Sequence, residues 1–397
     1  MNRRQFLHAA SMAAGSVVAG CYRSRPGAAN PVAAINCNLV PVQVSPDREI
    51  RTVVGLRPYR PSGFVVKAEK IGEKLLIHNY GHGGAGITLS WGTAKLATAL
   101  LPGEPVSAVA VAVLGCGAVG LATARLLQER GLPVTIYAAA LPPNTTSNIA
   151  GGEWFPFGVF DFGKQSPEFM NQFLQATEFA YRRYQILVGP RYGIRWLRTF
   201  SLRHEATNND RLAAMISPFL PETRNLLDSE HPFSGYPFVR QYDSMLIEPP
   251  IYLNAMLMDF RIAGGAVRVR YFDDVSQLQQ LAEPVIFNCT GLGARALFND
   301  QELIPAKGQL TFLLPQPEVN YMMATDDQLY MFPRTDGILL GGTFEKDEWS
   351  LTVNETAKAR VLQGHAKFFG SFRQCQRAAL DFHRRRVLGM SQSHFAV

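Results

Sequence analysis

Residues 109–140 read VAVAVLGCGAVGLATARLLQERGLPVTIYAAA, and this stretch decides the fold. An apolar run breaks at Gly115-Cys116-Gly117-Ala118-Val119-Gly120. Apolar residues then recur at helical spacing, and a second apolar run follows Gly131. Strand, glycine turn, helix and strand make a βαβ unit. In GxGxxG the glycines allow a tight turn, close approach of backbone to a pyrophosphate, and close packing of helix on strand. The N–H groups of the first helical turn then face an anion. The alternative is a purely structural turn, but a strand before the motif and a helix after it favour dinucleotide binding. One part is missing. The acidic residue expected at the end of the second strand is replaced by Ala138-Ala139-Ala140.

The chain carries a second device of the same kind just upstream. HNYGHGGAGITLSWG (78–92) is a glycine-rich loop running into GTAKLATALL, which predicts a helix beginning near Gly92. LPGEPVSAVA (101–110) reads as the linker between the two.

The rest of the chain is that of an ordinary globular protein: 397 residues, 47% hydrophobic, 18% charged, formal charge +7. Basic residues are scattered, without a basic stripe interleaved with aromatics, so nucleic acid is excluded as a partner. The five cysteines show no CxxC and the eight histidines no HExxH, so no metal is expected. Cys116 and Cys289 fall in motifs that read as buried, which leaves Cys37 and Cys375 as the pair open to a disulfide. At the start, NRRQFLHAASMAAGSVVAGC joins twin arginines, Arg3 and Arg4, to a short small-residue apolar run ending at Cys21. It resembles a twin-arginine export signal with a lipobox, which implies lipidation of Cys21 and a membrane contact by the lipid alone.

Residues 21–48 read as a tether with a strand in LVPVQV (39–44), and 50–101 as short strands, the first loop and its helix. PEFMNQFLQATEFAYRRYQIL (167–187) is helical, and residues 245–275 read as strand, helix, strand. PVIFNCTGLGARAL (284–297) is a buried strand and turn. KGQLTFLLP, QLYMFPR and GILLGGTF read as an antiparallel sheet, and helix returns in 354–370.

These residues resemble the FAD-dependent D-amino acid oxidases. NTTSNIAGGEWFP (144–156) is similar to the family stretch that holds the flavin, which implies cofactor contacts by Thr145, Thr146, Ser147, Gly151, Gly152 and Glu153. NCTGLGARAL implies one by Thr290. HNYGHGGAGITLSWG resembles bacterial members most specifically, and implies that Gly83, Ala85, Gly86, Ile87 and Thr88 surround the flavin. GLRPYRP (55–61) places Arg57 as the guanidinium that clamps the substrate carboxylate, where the alternative is an interstrand ion pair. Tyr330 matches the tyrosine that touches the same carboxylate, where the alternative is a half-buried strand aromatic. Gly84 matches the backbone carbonyl that receives the amine.

Two departures accompany the resemblance. GLRPYRP and HNYGHGG close the chain in the family, whereas here they precede the dinucleotide motif, so the sequence reads as circularly permuted. The family's lid tyrosine corresponds to Asp326 in a shortened ATDDQLY, with Tyr321 as a possible substitute.

The expected fold is α/β: a Rossmann-type FAD-binding domain (49–150 and 262–304, with 49–101 the permuted segment) and an antiparallel-sheet substrate domain (151–261 and 305–370). A signal (1–20), a tether (21–48) and a tail (371–397) complete the chain. The resemblance implies FAD as cofactor, a D-amino acid as substrate and oxygen as electron acceptor. The resemblance also implies hydride transfer from Cα to flavin N5 without a side-chain base. Other amine substrates (glycine, sarcosine, D-aspartate), a quinone acceptor, and a non-catalytic lipoprotein with a decayed flavin site are the alternatives.

Overall fold

In a computed structural model, residues 39–102, 109–206 and 211–373 are described. The twin arginines, Cys21, Cys37, Cys375, most of the linker and all of the tail beyond 373 lie outside them.

The six-stranded sheet is the direct product of the apolar runs. Its order is Val65–Ile71, Lys74–Tyr80, Val285–Asn288, Val111–Leu114, Val134–Ala138, Ala266–Val269. From Lys74–Tyr80 onward every pairing is parallel, and only the edge strand Val65–Ile71 runs opposite. Val111, Ala112, Val113 and Leu114 are all buried, as strands covered on both faces must be. Helices Gly86–Thr98, Ala118–Glu129 and Pro249–Ile262 pack together with Pro167–Ile186 over one face.

The first of these helices begins at Gly86, six residues earlier than expected. Gly92 is its crossing point instead: a Cβ there would fall 1.9 Å from the Ala176 carbonyl oxygen. The buried turns are tied by polar tips. Trp91 Nε1 donates to the Tyr252 hydroxyl at 2.8 Å, and the Tyr184 hydroxyl donates to the Ile87 carbonyl at 2.7 Å.

The second sheet is mostly antiparallel, in the order Glu49–Tyr59, Ile304–Leu313, Gly337–Gly341, Tyr330–Arg334, Tyr321–Thr325, Ile194–Arg203, Phe238–Ile247, Arg224–Leu226. One pairing in it, Tyr321–Thr325 with Ile194–Arg203, is parallel. Glu49–Tyr59 therefore belongs to this sheet and not to the nucleotide half in which the sequence reading set residues 49–101. Its register places Arg57 opposite Ala306.

Residues 39–44 form no strand, and the expected tether already packs here. Val42 is buried, Gln43 N donates to Gln316 Oε1 at 2.9 Å, and the Tyr321 hydroxyl donates to the Val40 carbonyl at 2.9 Å. The backbone is held by side chains, so no ladder is needed. Among the described residues no helix is long and apolar enough to cross a membrane.

Candidate active site

All five parallel strands end at one cavity of about 1180 Å³, above the roughly 300–1,000 Å³ of ordinary small-molecule pockets. Ligands in open α/β sheets sit at this carboxyl edge. Lining it are the residues that follow each strand: Gly83 and Gly84, Gly115 to Val119, Ala138 to Ala140, Arg270 to Asp273, and Thr290. The two glycine loops thus share one cavity.

At Gly115 the backbone has φ +105°, and a Cβ would lie 2.4 Å from the Cys289 carbonyl oxygen, so only glycine turns the chain here. Gly117 ends the turn without a side-chain cap on the helix Ala118–Glu129. Ser147 Oγ accepts from Ala118 N at 3.0 Å, bringing Thr145, Thr146 and Ser147 to the same mouth. Ala118 and Val119 of the first turn line the cavity, and a helix N-terminus favours an anion.

Three expected contacts do not line it. Gly120 packs inward, where a Cβ would meet the Gly115 carbonyl oxygen at 2.1 Å, so its role is helix–strand packing. Ala85 is fully buried in the core. Thr88 is buried too, and its hydroxyl reaches the carbonyls of Glu153 and Phe155 at 3.4 Å each, tying the first loop's helix to the 153–155 segment. Gly83, Gly84, Gly86 and Ile87 do line it, with Gly84 N donating to the Gly158 carbonyl at 2.9 Å.

The other wall belongs to the antiparallel sheet. Arg57 hydrogen-bonds the Tyr330 hydroxyl and faces the Thr343 carbonyl at 3.5 Å. Burial raises the Tyr330 pKa, and the guanidinium pulls it back down. Among the described residues Arg57 has no carboxylate partner, which removes the interstrand ion pair. Arg60, three residues on, is held by Asp300 and Glu302.

Two glycines make room for this pair, and the sequence reading did not single them out. A Cβ on Gly308 would fall 2.2 Å from Arg57 Nη1, and one on Gly341 2.0 Å from the Tyr330 ring. Their positions in KGQL and GILLGG were visible; their clearances are tertiary.

Gly151, Gly152 and Glu153 complete the wall. Glu153 Oε1 accepts from the Tyr242 hydroxyl at 3.1 Å, and burial pushes its carboxyl up to about 7 against the pull of that bond. Tyr242, also a lining residue, carried no motif signal.

Among the described residues no lid loop covers the mouth. Met323 pairs with Met331 and Ala324 with Tyr330, closing a tight hairpin whose turn holds Asp326 on the cavity rim. Asp326 accepts from His204 N and bonds His204 Nδ1, both at 2.8 Å. Tyr321 does not replace the lid tyrosine: it is buried on the opposite side, committed to Val40.

The DAO family model, described as FAD dependent oxidoreductase, matches residues 16–100 and 110–387. The chain belongs to this family. It is 30% identical over 257 residues to a D-amino-acid oxidase of Streptomyces coelicolor, covering 64% of this chain and 75% of that protein. A D-amino-acid oxidase of Dictyostelium discoideum is 29% identical over 259 residues, covering 63% and 70%. In fold, this oxidoreductase resembles glycine oxidase from Geobacillus kaustophilus, with TM-score 0.52 and 16% identity over 66% of this chain and 78% of that one.

Its cofactor is FAD, and the cavity fits it. The glycine turn has no room for a Cβ, Gly117 gives the helix behind it no side-chain cap, and the volume holds a dinucleotide with space beside Arg57. Gly115 to Val119 and Ser147 would hold the pyrophosphate, and Gly83, Gly84, Gly86 and Ile87 the ring. The alanines at 138–140 offer no acid to the ribose. Arg270 N bonds the Ala138 carbonyl at 3.0 Å, so residues 270–273 stand beside that gap.

Proposed function

We propose that this oxidoreductase deaminates D-amino acids: amino acid, oxygen and water give a 2-oxo acid, ammonia and hydrogen peroxide. The observation that carries the reading is Arg57, a guanidinium on the cavity wall beside Tyr330 without a carboxylate partner among the described residues. An α-carboxylate satisfies both groups, the planar guanidinium supplying two parallel donors. The D-amino-acid oxidases among its relatives support the same choice.

FAD, when bound, supplies the two-electron acceptor for the Cα hydrogen. The chain's own work is positional. Arg57 and Tyr330 fix the carboxylate, the Gly84 carbonyl accepts from the amine, and the apolar wall of Leu56, Leu310 and Phe332 keeps water from the reacting carbon.

The circular permutation belongs to this reading. Its support is that strand Glu49–Tyr59 and loop 83–87 complete the cavity from the N-terminal side, Arg57 reaching the Thr343 carbonyl. The family match also breaks at 101–109, where the permuted join would lie. For location, the twin arginines and Cys21 support export to the periplasmic side with a lipid anchor.

Peroxide release by flavin-loaded protein with a panel of D-amino acids, glycine, sarcosine and D-aspartate tests the activity. Arg57→Leu removes a charged partner from a buried pair, worth about 3 kcal/mol, so kcat/KM falls more than a hundredfold while flavin absorbance stays. Near-normal kinetics in that variant overturn the assignment. Turnover without oxygen, using a quinone, would make the protein a dehydrogenase.

A further inference from the structure

Glu153 lines the cavity wall, and the reading above gives it no part in holding the substrate. Its backbone is fixed on both sides. Ile247 N donates to the Gly152 carbonyl at 2.7 Å, Trp154 N donates to the Met245 carbonyl at 2.8 Å, and Glu153 itself bridges to Leu246. The residue is half-buried and lines the cavity. Tyr242 satisfies Oε1, and no ion pair to Glu153 exists among the described residues. A carboxylate so placed is costly unless a cation meets it.

We propose that Glu153 sets substrate choice by receiving the cationic side-chain end of a basic D-amino acid whose carboxylate lies on Arg57 and Tyr330. This rests on the amino-acid oxidase reading and narrows it. Chain geometry bounds the spacing. A Cβ on Gly151 would lie 3.9 Å from Tyr330 Cε2, so Gly151 stands against the clamp. Two residues of extended chain carry Glu153 at most about 7 Å further. A lysine side chain, with four carbon–carbon bonds and one carbon–nitrogen bond, reaches about 6 Å from its Cα. The α-amine is the poorer partner for Glu153. It lies next to its own carboxylate, and pairing it with an anion would hold it protonated, whereas the Cα hydrogen leaves from the neutral amine. The burial that pushes the Glu153 carboxyl up to about 7 also makes the contact pH-sensitive, because the cation needs the ionised form.

The test uses the flavin-loaded full-length protein with D-arginine, D-lysine and the near-isosteric neutral D-norleucine. The expected wild-type preference for the basic substrates in kcat/KM is at least tenfold. In Glu153→Gln the ratio falls ten- to a hundredfold, mainly through KM, and Glu153→Met favours D-norleucine. The KM for D-arginine rises below pH 7 in the wild type more than in Glu153→Gln. Titration calorimetry of the same ligands gives a binding ratio that does not need turnover, and flavin absorbance and FAD affinity report an intact fold. Equal binding of D-arginine and D-norleucine by the wild type, or a ratio unmoved in both variants, overturns the proposal. A ratio unmoved while FAD affinity falls makes Glu153 a cofactor contact instead. If no D-amino acid reduces the flavin, the oxidase reading fails, and the calorimetric ratio still decides Glu153.

Discussion

Replacing Gly308 by alanine isolates the Arg57 clamp from the fold. The new Cβ would stand 2.2 Å from Nη1, 2.5 Å from Cζ and 2.5 Å from Nη2 of Arg57. Ordinary contact begins near 3.5 Å, so the guanidinium must move by at least about 1 Å. The three nearest atoms all belong to that guanidinium, and Gly308 lies in regular antiparallel pairing opposite Gly55, a backbone that alanine adopts without strain. The atoms that yield are the far end of a flexible side chain, so unfolding midpoint and FAD content should stay at wild-type values. Catalysis should not. A misplacement of about 1 Å in a positioning group costs up to about a hundredfold in rate. We expect kcat/KM for the best D-amino acid to fall ten- to a hundredfold, with KM taking most of the change. Steady-state peroxide assays on flavin-loaded protein measure it. A variant within twofold of wild type would refute the placement of the guanidinium over Gly308. Loss of FAD instead would mean that the methyl group projects into the cofactor's space.

Two further outcomes concern stability and location. His82 is buried, bonds Thr93 Oγ1 at 2.8 Å, and has its pKa pushed down to about 3 by burial. An unfolded histidine near 6.5 binds its proton first, so stability is lost as pH falls from about 6.5 towards 3, by up to about 1.4 kcal/mol per pH unit. Chemical denaturation of wild type and His82→Gln at pH 7 and pH 5 should show a smaller loss in the variant; equal losses refute it. For location, replacing Arg3 and Arg4 by lysine should keep the protein in the cytoplasm, and Cys21→Ala should release it from membranes. Unchanged fractionation of both variants would make the start of the chain ordinary sequence.

Local pattern made part of this molecule legible. The 115–120 turn, its flanking strands and the loop at 83–87 announce themselves by apolar runs and glycines, because their conformations are fixed within a few residues. Arg57 and Tyr330 were singled out through motif resemblance, and both line the cavity. What was missed depends on partners distant in sequence. Gly92 read as a helix start until the crossing with Ala176 explained it. Gly308 and Gly341 look like strand glycines until a guanidinium and a phenol ring lie over them. Tyr321 was a plausible lid residue, and only its bond to Val40, in a segment read as a tether, turns it away from the cavity. Tyr242 gained meaning only from Glu153.

The strand Val285–Asn288 lies between Lys74–Tyr80 and Val111–Leu114, the strands that deliver the two glycine loops. Those loops are close neighbours along the chain, yet their strands never touch. The wedge between them is made some 170 residues later. A growing chain therefore holds both halves of its nucleotide cradle long before it can set them at working distance. Until residue 288 is in place, Lys74–Tyr80 and Val111–Leu114 each present an unpaired parallel edge. Such late, long-range parallel closure is slow and exposes aggregation-prone edges on the way. The two loops reach working distance only when the central sheet is complete.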